Sequence, residues 1–162
     1  MTTLSKIGPK EFIFRVLSGV AVGIVAGLVP NAILGEIFKY LMQFHPIFKT
    51  LLGVVQAIQF TVPALVGALI ALKFNLTPLA MAVVASASYV GSGAAQFKNG
   101  TWVIAGIGDL INTMITASIA VLLILLIEHR VGSMALIVYP TIVGGISATI
   151  GCLLYTSDAA DE

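Results

Sequence analysis

The sequence predicts an all-α fold, a polytopic bundle of about five membrane-spanning helices with one re-entrant or broken segment. Three observations predict it. Hydrophobic residues make up 59% of the chain and charged residues 9%, where a soluble domain carries about 25% charge. Mean hydropathy is +1.08. The few charges cluster between long apolar runs, so the structural unit is a span of about 20 apolar residues rather than a soluble core. A chain this poor in charge cannot cover a soluble surface. The formal net charge of +1 with no basic run argues against a polyanion partner, so no nucleic acid is expected. The lipid bilayer is the expected surrounding.

Lys6, Lys10, Glu11 and Arg15 open the chain, and Ile13 to Val29 forms the first expected span. The segment lacks a convincing small-residue cleavage pattern, so it reads as a span and not a removed leader. Pro30-Asn31 is expected to end or kink that helix. Ala32 to Phe48 then reads as an interfacial helix, because Glu36, Lys39 and His45 alternate with Ile37, Phe38, Leu41 and Phe44. No formal charge lies between Lys49 and Lys73, which predicts one clean span, and Asn75 and Pro78 mark a turn and a new start. Leu79 to Ala95 is largely Ala, Ser and Gly. It either crosses or turns back.

The run Thr101 to Ile127 is apolar except for one polar stripe. Unbroken, it would measure about 40 Å against a hydrocarbon core of about 30 Å, so it must tilt, project or break. Glu128-His129-Arg130 closes it, and Val131 to Gly151 begins a fifth span. With five spans, Lys6, Lys10, Arg15, Lys73 and Arg130 fall on one side and Lys39, Lys49 and Lys98 on the other. That asymmetry favours a cytoplasmic N-terminus.

The polar and small residues are the candidates for function. Gly19, Gly23 and Gly27 recur every four residues, a spacing that lets helices approach closely in lipid or exposes backbone to a solute. Gln56 and Gln59 share a face and act either as interhelical glue or as cavity lining. The strongest local signal is Gly106-Ile-Gly108-Asp109-Leu-Ile-Asn112-Thr113. Asp109, Asn112, Thr113 and Thr116 lie at i, i+3, i+4 and i+7, so one helical stripe carries all four. An intramembrane acid costs at least about 2.5 kcal/mol and is a functional candidate by default. Its bland alternative is a helix-capping or packing Asp. The preceding glycines make a helix break plausible, of the kind that builds transporter sites. They are no dinucleotide loop, since no strand-and-third-glycine context surrounds them. Tyr89-Val-Gly91-Ser-Gly93-Ala-Ala-Gln96-Phe97 reads either as a re-entrant hairpin lining a pathway or as a tightly packed helix end.

On burial cost and stripe geometry, the candidate solute-binding residues are Asp109, Asn112 and Thr113, with Asn31, Glu36 and Gln59. The candidate helix-break or gating residues are Pro30, Gly91, Gly93, Gly106 and Gly108. His45 and His129 are solitary, so no metal site is expected, and no cofactor motif is present. No Ser-His-Asp set, P-loop or paired carboxylate is visible, and no catalytic residue is assigned.

Cys152 to Glu162 reads CLLYTSDAADE, an abrupt polar ending that one frame of a common transposon-type sequencing adapter encodes. Residues 1–151 are therefore expected to be the native N-terminal part of a longer protein, and residues 152–162 an adapter-encoded tail excluded from fold reasoning. Excluding it removes the single cysteine and three of the seven acids, Asp158, Asp161 and Glu162.

Leu28-Val-Pro30-Asn31-Ala-Ile-Leu-Gly35-Glu36, the Gly91-Ser-Gly93 turn, and Gly106-Ile-Gly108-Asp109-Leu-Ile-Asn112-Thr113 followed by Ile119 to Ile127 carry a family resemblance. In their order and spacing they resemble the enzyme IIC permeases of the bacterial phosphotransferase system. The resemblance covers about residue 10 to residue 151, roughly the first half of such a permease. It implies a multi-pass protein of the bacterial plasma membrane that binds and translocates a sugar-like solute. A separate phosphorylated IIB protein or domain would phosphorylate that solute, and the permease would be a homo-oligomer. No phosphocarrier cysteine or histidine stands in the chain's own soluble part, so any enzyme activity would be that of the membrane component alone. Two other readings remain: an ion- or proton-coupled secondary transporter, in which Asp109 titrates, and a non-transporting membrane subunit.

Overall fold

The structure, a computed structural model, describes residues 7–98 and 100–158. Lys6, Asp161 and Glu162 lie outside the described residues. Along the chain run α1 (Pro9–Leu41), α2 (Ile47–Gln59), α3 (Val62–Lys73) and α4 (Pro78–Gly91). Strands β1 (Ala95–Lys98) and β2 (Thr101–Ile104) follow, and then α5 (Leu110–Val131). A 3₁₀ turn (Gly132–Met134), α6 (Ala135–Val138), a π-helical turn (Tyr139–Gly144) and α7 (Gly145–Asp158) complete the described chain. The fold is all-α apart from the one small hairpin.

Among the described residues, two stretches are long and apolar enough to cross a membrane, Pro9–Leu41 and Leu110–Thr156, or three if the bent α2–α3 pair is one span. That is fewer than the five expected, and the differences have local causes. Proline does not end α1: the helix passes through Pro30 and spans 33 residues from Pro9 to Leu41, so no separate interfacial helix starts at Ala32. Neighbouring helices let membrane helices tolerate the lost backbone bond. The expected clean span from Lys49 to Lys73 bends by 43° between Gln59 and Val62. Pro63 has no N–H to give the Gln59 carbonyl. The joint tightens instead to three-residue bonds, Phe60 N to Ala57 O at 3.1 Å and Thr61 N to Ile58 O at 3.0 Å.

α4 has 14 residues, about 21 Å of helix, too short to cross a core of about 30 Å. The run Thr101 to Ile127 breaks: its first residues are a strand, and the helix begins at Leu110. Leu110–Thr156 doubles back on itself, because Asn112 Nδ2 reaches the Gly151 carbonyl at 2.8 Å. One continuous helix would hold those residues about 58 Å apart. The reversal falls at Gly132, where φ is 47°. The expected fifth span is thus a chain of 3₁₀, α and π turns before α7 settles, with Pro140 inside the π turn.

α1 and α3 pack antiparallel. Gly19 faces Ile70, Gly23 faces Val66 and Gly27 faces Val62. A Cβ on Gly23 would lie 2.7 Å from the Val66 Cα, so only glycine allows this approach, and packing is what the stripe does. At the end of this pair, Arg15 donates to Glu11 Oε1 at 3.0 Å and to the Lys73 carbonyl at 3.2 Å. Its guanidinium also sits 5.7 Å from the Phe74 ring centroid. That supplies a partner for a helix-end carbonyl that has none within α3. α3 and α4 then meet at Gly67, against Ser88 and the Val84 carbonyl. Val62, Val66, Ile70, Val84, Val121 and Val143 are fully buried between the helices. Phe14, Val25 and Leu126 point outward, an arrangement that hydrocarbon chains satisfy and water does not.

Candidate functional site

The polar stripe lies where α4, α5 and α7 converge. α4 ends at Gly91, and Ser92 turns the chain: its Oγ donates to the Tyr89 carbonyl at 2.8 Å and accepts from Ala94 N at 3.1 Å. The chain leaves as an antiparallel hairpin that pairs Ala95 with Ile104, Gln96 with Val103, Phe97 with Trp102 and Lys98 with Thr101. It returns by two closing bonds, Ala105 N to Ala94 O and Asp109 N to Ser92 O, both 2.8 Å. Between them Gly106 and Gly108 take φ of 149° and 71°, conformations open to glycine and strained for other residues. A Cβ on Gly108 would fall 2.9 Å from that of Ser92. The excursion therefore closes on itself at Ser92.

Asp109 is the N-cap of α5. Its Oδ1 accepts from Ile111 N at 2.8 Å, and its carbonyl accepts from Thr113 N at 2.9 Å and Thr113 Oγ1 at 2.6 Å. The residue is half-buried. One turn on, Asn112 is 3% exposed and donates both amide hydrogens, to Gly91 O at 2.7 Å and to Gly151 O at 2.8 Å. One side chain thus ties three helices. Thr116 is fully buried next to Gly91 and Gly151. Among the described residues, neither its Oγ1 nor the Ser147 Oγ on α7 has a hydrogen-bond partner. Thr113, Ser88 and Ser118, by contrast, satisfy themselves against the carbonyl four residues back.

The structure brings Asp109, Asn112 and Thr113 together with Gly91, Gly93, Gly106 and Gly108. It does not bring the other candidates there. Pro30 lies within α1, and Asn31 Oδ1 is buried without a hydrogen-bond partner among the described residues. Glu36 is exposed and pairs with Lys39 at 2.6 Å, and Gln59 ends α2. None of these hydrogen-bonds to the α4–α5–α7 junction among the described residues. A cavity of about 550 Å³ lies beside the hairpin, lined by Gly93, Gln96, Lys98, Trp102, Cys152 and Tyr155 among others. Gln96 Nε2 donates to Gly93 O at 3.1 Å and to Tyr155 Oη at 2.7 Å.

Sequence reasoning missed Ser92 as the closing residue and the whole β-hairpin. A signal was available: Asn99-Gly100 separates Ala-Gln-Phe-Lys from Thr-Trp-Val-Ile, and an Asn-Gly pair between strand-forming residues is a strong short-range hairpin signal. Gly100 has φ of 81°, as such a turn requires.

A family model described as Phosphotransferase system, EIIC matches residues 14–157. No curated protein and no solved structure matches the chain.

Proposed function

The chain belongs to the phosphotransferase-system EIIC family, and from that premise we propose that it is the solute-binding membrane part of a sugar permease. In this reading the permease is a homo-oligomer of the bacterial plasma membrane. It binds a sugar-like solute, and a separate IIB component phosphorylates that solute during uptake. The observation that carries the site is the half-buried Asp109 carboxylate at a helix start beside an unwound glycine segment. Ile111 N–H holds one carboxylate oxygen and so aims the group. A carboxylate has about four acceptor positions, which leaves room to receive sugar hydroxyls.

Asn112 and Thr113 give their hydrogens to protein carbonyls. Their part is to hold the break in register, and Gly106 and Gly108 let it rearrange. Pro30, Gly91 and Gly93 act with them as gating positions, while Asn31, Glu36 and Gln59 line the path on the α1–α2 side.

The test uses Asp109→Asn in the full-length permease, with uptake of a sugar panel measured with and without the phosphoryl donor. Asn keeps the cap, since Asn and Asp are equal there, so the fold is retained. The expected result is donor-dependent uptake that falls at least about tenfold in the variant, equivalent to about 1.4 kcal/mol of binding. Uptake that ignores the donor and follows a proton gradient refutes the phosphotransferase mechanism. Unchanged uptake in Asp109→Asn reduces Asp109 to a cap.

A further inference from the structure

We propose that the β1–β2 hairpin is a membrane-interface anchor whose aromatic face docks in the headgroup layer of the bilayer. The pairing register puts Phe97, Trp102 and Ile104 on one face, with Gln96, Lys98, Thr101 and Val103 on the other. The first three are 62%, 64% and 62% exposed. Phe97 and Trp102 pack on each other with ring centroids 5.5 Å apart. Gln96, on the opposite face, ties the hairpin back to the Gly93 carbonyl. Phe97 and Trp102 border the open cavity beside α7 on one side, and most of their surface stays uncovered by the helices.

Two environments are excluded by elementary chemistry. In hydrocarbon, each four-residue strand would leave its outer row of N–H and C=O groups without partners, and open sheet edges do not occur there. In bulk water, a contiguous face of Phe, Trp and Ile is an unfavourable exposed patch. The interface satisfies both demands. Its water and headgroups pair the strand edges, while the rings lie in the upper acyl region, where Trp is enriched at membrane surfaces. Lys98, at the tip of the same hairpin, is exposed and can reach lipid phosphate from that depth. The hairpin leaves the bundle between α4 and α5, and α5 itself exposes Leu122 and Leu126. This inference rests on membrane location alone and is independent of the solute.

Trp102 is the single tryptophan of the chain, which makes the test direct. The 162-residue chain is reconstituted into phosphatidylcholine–phosphatidylglycerol vesicles. Its fluorescence is then quenched with lipids carrying a nitroxide at the headgroup or near the acyl-chain end, or with aqueous iodide. A Trp102→Phe/Leu122→Trp variant supplies a depth ruler within α5. Headgroup-level label is expected to quench Trp102 at least about twofold more than the deep label, as for an aromatic-belt residue, with the order reversed for the ruler. Strongest quenching by the deep label would place the hairpin in hydrocarbon and overturn the proposal. Quenching by iodide alone would place it in water, and quenching by neither would mean that protein covers it. Either result also overturns the proposal. Unchanged far-ultraviolet circular dichroism of the variant shows that the ruler reports on the same fold.

Discussion

Replacing Asn112 with Leu, close to the same volume, should destabilise the helical bundle by about 2–3 kcal/mol, the sum of two unequal losses. The Gly91 carbonyl ends α4, where helix-end carbonyls have no partner of their own. Without the 2.7 Å bond from Asn112, it is left buried and unpaired, at a cost of about 1–3 kcal/mol. The Gly151 carbonyl lies inside α7, where a helical bond remains available to it. Its loss is closer to the interhelical average of about 0.6 kcal/mol measured in membranes. Asn112→Asp should be worse than Leu, because a carboxylate oxygen would face two carbonyl oxygens at these separations. The assay is dodecyl sulfate titration in mixed micelles, followed by circular dichroism, with stability ordered Asn above Leu above Asp. If Asn112→Leu lies within about 0.5 kcal/mol of the parent, the range of an ordinary surface substitution, the three-helix tie is wrong as described.

Two glycines separate close approach from mere composition. Gly23→Ala should lower stability by about 2 kcal/mol or more, as overpacking does, because its Cβ meets Val66 Cα at 2.7 Å. Gly53→Ala in α2, with nothing within 4 Å, should raise stability by up to about 1 kcal/mol through helix propensity; the same titration reads both. Asp109→Ala should cost about 1 kcal/mol as a lost N-cap and Asp109→Asn almost nothing, so equal losses would contradict the capping geometry. Amplification of the source DNA across the Gly151 codon should show apolar codons continuing in place of CLLYTSDAADE. A genuinely encoded acidic tail followed by a stop would show that residues 152–162 are native.

The membrane bundle was legible because composition alone decides whether a chain can face water. The glycine stripe of α1 was half-legible: its spacing implied close approach, but only Ile70, Val66 and Val62 opposite it make packing the answer. The capping alternative for Asp109 was equally visible, since Gly-Asp before an apolar run is also how a helix begins, and the structure makes it a cap. Span boundaries were the weakest part. Pro30-Asn31 suggested an end or kink to the first helix and the charges at Glu36 and Lys39 a separate interfacial one, yet α1 runs on through all four and the two charges pair on its exposed side. The break at Gln59 follows from a proline four residues later, which hydropathy does not weigh. The hairpin was hidden because Thr-Trp-Val-Ile is as apolar as a span, so its strand-forming residue types were outvoted by hydropathy.

The α1–α3 contact has one more property, which comes from its repeat. Because Gly19, Gly23 and Gly27 recur at the same interval as Ile70, Val66 and Val62, sliding one helix past the other by one turn, about 6 Å, re-creates two of three contacts. Gly23 would meet Ile70 and Gly27 would meet Val66, so the rail itself does not choose its stopping point. The ends do. Slid one way, Asn31 arrives opposite Val62, and its amide cannot enter a slot cut for a hydrogen atom. Slid the other way, Arg15 leaves the Lys73 carbonyl and the Phe74 ring and arrives at Ile70. A helix pair with a periodic track and a polar stop at each end is a ratchet with its pawls engaged. Replacing Arg15 and Asn31 with glycine would be the way to release it.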